Sequence, residues 1–221
     1  MRNFSLTVFV FLSLLTGTVS ASPQNPVEGA EYKTLTSPQP VAADGKKVEV
    51  IEFFMYHCPA CYQLEPQLLA WVSKQGDNIV FRRIHLPHTG AKDPEAHLFL
   101  ALEALGLEES MHAKILNTWH VEHKPLLTDQ DNIDWAVKNG IEKNKFIDAY
   151  FSFSVSGKLN GLMRTAGNYL VTSTPTLIID GRYATAPGMI VDSNPSVPVN
   201  ALGNAMLQVA DALVVKARAG R

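Results

Sequence analysis

The sequence predicts an α/β fold interrupted by an all-helical insertion. Three features carry that expectation. A β-branched and aromatic run at 48–56 leads into a helix-spaced apolar face from Cys61, and a second extended run follows at 79–86. From Asp93 to about Tyr169 the apolar residues keep a helical period almost throughout. From Thr174 the pattern becomes extended again, and an amphipathic helix closes the chain. A chain of 221 residues with a formal charge of -2 excludes a long multidomain assembly. Its hydrophobic content excludes wholesale disorder, and without an excess of Lys and Arg it has no footprint for nucleic acid.

The elements follow in order. In the first segment Arg2 is the only charge, residues 6–15 are apolar, and small residues end at Val19-Ser20-Ala21. This reads as a secretory signal peptide spanning 1–21 and cleaved after Ala21, because the apolar run falls short of the roughly 20 residues of a membrane-spanning helix. An uncleaved anchor is the alternative. No later stretch is long and apolar enough to span, so an exported, soluble mature chain is expected. The strand at 48–56 is bounded behind by Asp44-Gly45. In the following helix Cys61, Leu64, Leu68, Leu69, Trp71 and Val72 share a face, Pro59 suits the first turn, and Pro66 should kink it. Gly76-Asp77-Asn78 turns the chain into the second strand. The helical block starts at Asp93-Pro94 and pauses at Gly106, at Asn139-Gly140 and near Phe151; Trp119, Trp135 and Met163 read as core residues. Asp180-Gly181 between extended runs reads as a hairpin turn, and Leu202, Met206, Val209, Leu213 and Val214 mark the last helix.

The only cysteines are Cys58 and Cys61, four residues from end to end as Cys58-Pro59-Ala60-Cys61. A bridge across two residues constrains almost nothing in the unfolded chain, so a structural staple is a poor reading. A strand running into the pair and a helix leaving it place the Cys58 sulfur at a helix N-terminus, where unpaired N–H groups and the macrodipole favour thiolate. Cys58 is therefore the reactive sulfur, and Cys61, one turn further in, the more buried resolving partner. His57 is the nearest candidate cation for the thiolate; its other reading is a surface histidine at a strand end. CxxC also occurs in zinc sites, but the histidines that would complete one, His85-x-x-His88 and His120-x-x-His123, are spaced by two residues instead of three to five. Glu52 reads as the one acid within the buried part of the first strand. It must either raise its pKa and exchange protons with Cys61, or pair with a cation such as Arg83.

Glu52-Phe53-Phe54 running into Cys58-Pro59-Ala60-Cys61-Tyr62, the helical block between two halves of a sheet, Thr174-Pro175 ahead of Thr176-Leu177-Ile178-Ile179-Asp180-Gly181-Arg182-Tyr183, and the last helix together resemble the thioredoxin fold. They resemble more closely the DsbA family of exported thiol-disulfide oxidoreductases. The resemblance covers nearly all of the chain beyond residue 21. It implies a thioredoxin-like domain in two parts, 22–92 and 171–221, around a helical insertion at 93–170. It also implies catalytic roles for Cys58, Cys61, Pro175 and Glu52, and a cis peptide at Thr174-Pro175 that turns the Thr174 backbone toward an extended substrate. Thr174 and His57 are the expected substrate contacts. Ala60 departs from the family's best-known member, which carries a thiolate-stabilising histidine there.

The function so implied is a monomeric, periplasmic dithiol oxidase that donates the Cys58–Cys61 disulfide to newly translocated, reduced proteins. A membrane DsbB-type, quinone-linked oxidase would reoxidise it. Thiolate exchange calls for no metal, flavin or nucleotide. The alternatives are a reductase or isomerase of the same fold and a metal-binding protein using the cysteines and histidines. The short stretch from Ser22 to Val48 leaves no room for the separate dimerisation region usual in isomerases.

Overall fold

The computed structural model describes residues 22–43 and 45–220. The signal peptide expected at 1–21, with its cut after Ala21, lies outside them. Among the described residues no helix is long and apolar enough to cross a membrane.

A two-residue strand β1 (Lys33–Thr34) precedes β2 (Val48–Phe54), α1 (Pro59–Gln75) and β3 (Ile79–His85). Helices α2 (Pro94–Ala104), α3 (Glu108–His120), α4 (Asp129–Lys138), α5 (Lys143–Tyr150) and α6 (Phe153–Asn168) follow. The chain then returns to the sheet as β4 (Thr176–Ile179) and β5 (Tyr183–Thr185), and ends in α7 (Pro187–Ser193) and α8 (Leu202–Ala219). The sheet order is β1-β5-β4-β2-β3, with β2 and β3 parallel and all other neighbours antiparallel. The parallel pair is joined by the crossover helix α1, as a parallel connection requires.

Both faces of the sheet are covered, so β2 is buried along its whole length. Val48, Val50, Leu177 and Ile179 pack with Leu64 and Leu68 of α1 and with Met206, Val209 and Leu213 of α8. Ile51, Phe53 and Ile178 join the core of the helical block, including Leu98, Phe99, Ile115, Phe146 and Leu162. Helix starts follow local chemistry. The Asp93 side chain accepts the Ala96 N–H at 2.8 Å, and Thr128 with Asp131 forms a reciprocal capping box at α4.

The helix α1 runs from Pro59 to Gln75 with Pro66, exposed, inside it. Two local expectations need correction. Met163 is 52% exposed, not a core residue, because the face of α6 that meets the block is carried by Val155, Leu159, Leu162 and Ala166. Glu52 is not the only buried acid of its strand: Glu49 is fully buried too, on the opposite face, where it accepts from Arg82 Nε and from the Ala42 N–H, each at 3.0 Å.

The hairpin between β4 and β5 turns at Asp180 and Gly181, both left-handed at φ 55° and 61°, and closes with the Arg182 N–H on the Ile179 carbonyl at 3.0 Å. This mirror-image turn suits the twist of a hairpin. A Cβ at Gly181 would collide with the Gln39 carbonyl oxygen, whereas one at Gly140, also left-handed, would meet open space. Gly181→Ala is therefore expected to lower the urea midpoint clearly more than Gly140→Ala, with a loss above about 1 kcal/mol; equal losses would show that the close approach of residue 39 is not a constraint.

Candidate active site

Cys58 is the N-cap of α1, with extended backbone at φ -76° and ψ 113°. Its Sγ accepts the Cys61 N–H at 3.3 Å and lies 3.6 Å from the Thr174 carbonyl oxygen, to which the thiol donates. The Thr174–Pro175 peptide is cis. Both cysteines are free thiols and both are buried, Cys58 at 8% and Cys61 at 2% exposure. The Cys58 thiol is brought down to about 5, chiefly by a hydrogen bond from the Cys61 side chain, which outweighs burial; the Thr174 side chain and the Cys61 and Ala60 backbones lower it further. Thr174 Oγ1 is buried and bonded to no other group, so its proton is free for the sulfur anion. Cys61 moves the other way, raised first by burial and then by the Cys58 sulfur and the charge of Glu52. At neutral pH one sulfur is an anion and the other holds the proton between them.

Strand alternation puts Glu52 on the same face as Val48 and Val50, beneath α1. The parallel register of β2 and β3 sets Arg83 directly opposite Glu52, and Arg83 Nε donates to Glu52 Oε2 at 3.1 Å. Pairing does not hold the carboxyl down. Burial raises Glu52 to about 8, and the neighbouring Glu65 and Glu108 carboxylates push it the same way against the guanidinium. Glu52 is therefore paired with Arg83 while its carboxyl stays raised to about 8.

The segment that delivers Cys58 is held from three sides. The Tyr56 N–H donates to His85 Nε2 of β3 at 3.3 Å, and the Tyr56 carbonyl lies 2.8 Å from His120 Nε2 of α3. Glu95 of α2 takes both the His57 N–H at 3.0 Å and His57 Nδ1 at 2.8 Å. Glu95 is buried, but hydrogen bonds from His57 and His85 outweigh the burial and hold its carboxyl at about 2. In return the Glu95 hydrogen bond raises the His57 imidazole, against burial, with smaller help from Asp93 and from the Cys58 sulfur. Among the described residues no group of three or more His, Cys, Asp or Glu side chains could hold a metal ion.

Comparison with known proteins decides the family. A family model described as Thioredoxin matches residues 43–190. The thiol:disulfide interchange protein DsbA of Burkholderia cepacia is 41% identical over 187 residues, which are 85% of this chain and 88% of that protein. The chain belongs to the DsbA family. DsbA of Pseudomonas aeruginosa is 35% identical over 183 residues, 83% of this chain and 86% of that one. The crystal structure of Pseudomonas aeruginosa DsbA superposes with a TM-score of 0.75 at 33% identity, covering 87% of this chain and 94% of that chain. This DsbA-family chain is a thioredoxin-like protein-disulfide oxidoreductase of oxidative folding, with Cys58 and Cys61 as its CxxC pair.

Within this DsbA-family site, Cys58, Cys61, Thr174, Pro175, Glu52 and His57, all singled out in the sequence, gather around the start of α1. Several residues escaped sequence reasoning. Glu95 lies 38 positions from His57 and reads locally as an ordinary first-turn acid of α2. Glu108 and His112 read as the polar side of α3. Only Glu65 carried a usable signal, since it stands one turn after Cys61 on the same helix face. Beside the cysteines a groove lined by Ala60, Gln63, Gln67, Pro175, Val199 and Gly203 opens to solvent.

The thiolate has a stability signature. Cys58 ordinarily ionises at 9.0 and here at about 5, so between those values folding of the reduced protein releases a proton. Stability from this group is full above pH 9 and lost as pH falls through 5. Glu52 acts in the opposite sense, its contribution being lost as pH rises from 4.5 toward 8. Urea unfolding of the reduced wild type minus that of Cys58→Ala separates the sulfur from the carboxyl. That difference should grow between pH 5 and 9 with a slope of at most about 1.4 kcal/mol per pH unit; a flat difference would mean that the thiolate is not stabilised by the fold.

Proposed function

We propose that this DsbA-family oxidoreductase works as a dithiol oxidase, donating the Cys58–Cys61 disulfide to reduced proteins newly delivered to the periplasm. A client thiolate attacks Cys58 Sγ, the S–S bond breaks, and Cys61 leaves as a thiolate that takes the Glu52 proton. A second client thiolate then attacks the client sulfur of the mixed disulfide, and Cys58 leaves as a thiolate. The client gains a disulfide and the protein is left as the dithiol; each client sulfur has lost its proton, and the pair of electrons ends on Cys58 and Cys61. The Cys58 thiol at about 5 carries this reading, because a leaving group already stable as an anion favours release of the disulfide to the client.

An extended client segment pairs with the Thr174 backbone at Pro175 and runs along the groove by Gln63 and Val199, with His57 at its edge. The Glu95-bound His57 supplies the positive charge that Ala60 does not. The chain acts as a monomer, with parts 22–92 and 171–221 forming the thioredoxin-like domain around the insertion 93–170. Residues 1–21 direct export, with cleavage after Ala21. A membrane DsbB-type, quinone-linked oxidase restores the disulfide, and no metal, flavin or nucleotide takes part.

Cys61→Ala is expected to accumulate mixed disulfides with client proteins, seen on non-reducing gels, while Cys58→Ala accumulates none; the reverse pattern would exchange the two roles. His57→Ala should raise the Cys58 midpoint in an ultraviolet thiolate titration and lower the reduction potential against glutathione, by about 30 mV for each pH unit. An unchanged midpoint would make His57 a client contact alone. Glu52→Gln should slow disulfide transfer while leaving the unfolding midpoint of the oxidised protein in place, and wild-type kinetics in that variant would remove the proton role.

A further inference from the structure

Arg83 is a single guanidinium among three carboxylates from three elements. It lies 3.1 Å from Glu52 on β2, 2.8 Å from Glu65 on α1 and 3.6 Å from Glu108 on α3. The two oxygens of Glu65 serve different cations. Oε1 takes Arg83, while Oε2 lies 3.5 Å from His112 Nε2. On its other edge His112 Nδ1 faces Glu108 Oε1 at 3.5 Å, and although both atoms are buried neither makes a hydrogen bond. One fixed positive charge cannot balance three carboxylates in a low-dielectric interior, so this cluster must hold additional protons. Besides Glu52, the groups that can hold one are Glu108, whose carboxyl burial raises, and His112, the imidazole that lies between Glu65 and Glu108.

We propose that His112 is a positioning residue for disulfide exchange: through Glu65 it governs how much of the Arg83 charge is left for Glu52, and so the pH at which Glu52 and Cys61 exchange a proton. The proposal rests on Glu52 as the proton carrier of Cys61. With His112 neutral, Arg83 is shared among three carboxylates and Glu52 keeps its proton. When Glu52 passes that proton to the Cys61 thiolate it becomes an anion. His112 then takes a proton from water beside Glu108, whose side chain is 20% exposed, and the imidazolium holds Glu65 and Glu108 while Arg83 turns to Glu52. Charge within the cluster is conserved, and the unbonded Nδ1 to Oε1 contact becomes an ion pair.

The surroundings of His112 fit this role. Burial lowers the imidazole, so it rests neutral, and Arg83 and His85 of β3 lower it further while Glu65 of α1 opposes them. Phe54 of β2 and Tyr56 of the following loop pack on the ring at 4.9 and 5.4 Å between centres, and burial keeps the Tyr56 hydroxyl neutral. On α3 itself Glu108 stands one turn away, and Glu109 and the α2 residue Glu103 add negative charge around it. The Glu65 carboxyl is raised by burial, but His112 and Arg83 together bring it below its ordinary value.

The test is the pH profile of disulfide transfer from the oxidised protein to a reduced, unstructured peptide, with the Glu52 midpoint read from the limb that Glu52→Gln abolishes. His112→Gln keeps a polar amide beside Glu65 but cannot take a proton, and should move that midpoint up by about one pH unit. Glu65→Gln releases Arg83 and should move it down by a similar amount. In the Glu52→Gln background neither variant should alter the profile, which separates action through Glu52 from a general loss of structure. A His112→Gln midpoint at the wild-type value, or a shift that survives without Glu52, overturns the proposal. Should His112→Gln fail to fold, His112→Asn is read in the same way, and a midpoint at the wild-type value overturns the proposal. A wild-type profile with no limb sensitive to Glu52→Gln would instead overturn the proton role of Glu52, so the two failures are distinguishable.

Discussion

A sulfur anion set against the N-terminus of a helix is the constraint on which the rest of this molecule depends. The first N–H groups of α1 have no partner within the helix, and the Cys58 Sγ meets the one from Cys61 at 3.3 Å. Because that anion is held where water is largely excluded, its donors are worth more than they would be in bulk solvent. The same exclusion keeps Cys61 protonated one turn deeper. Two chemically identical thiols are thus driven apart by a difference of one helical turn in depth.

In the proposed cycle Cys61 takes its proton from a carrier that does not need bulk water, and the fold places the buried carboxyl of Glu52 where its charge acts on Cys61. Glu52 could not stay inside a fully buried strand without compensation, since an isolated buried carboxylate costs several kcal/mol. Arg83 compensates it, but incompletely, because Glu65 and Glu108 draw on the same guanidinium. A fully satisfied ion pair would hold the carboxyl ionised. The shared one leaves it near neutrality, which is where proton exchange with a thiol is useful. The neighbouring Arg82 points to the opposite face and serves Glu49, so two adjacent arginines on one strand balance two buried acids of the next.

The helical insertion contributes to the site as well as covering the sheet. Glu95 of α2 and His120 of α3 fix the backbone of Tyr56 and His57 immediately before the reactive cysteine. The side chains that hold this segment come from elsewhere in the chain, through contacts spanning 29 to 64 residues in sequence. The loop itself holds no regular structure, yet its position is set by side chains anchored in rigid elements, as precise exchange between two sulfurs demands.

Much of the fold was legible because its signals are local. The strand–CxxC–helix order, the Asp93 cap, the Asp180-Gly181 turn and the amphipathic last helix each follow from residues close together in the chain. The short elements β1 and α7 were not legible, since two and seven residues give no readable period. Cys58 and Cys61 could be assigned their unequal environments from spacing alone, because a helix N-terminus acts over a single turn. What tertiary structure decided is the company of Glu52 and His57. Register between parallel strands chose Arg83 over Arg82, and the docking of α1, α2 and α3 brought Glu65, Glu95, Glu108 and His112 to the site. Electrostatic environments depend on distances through space, and a linear sequence records none of those until the chain has packed.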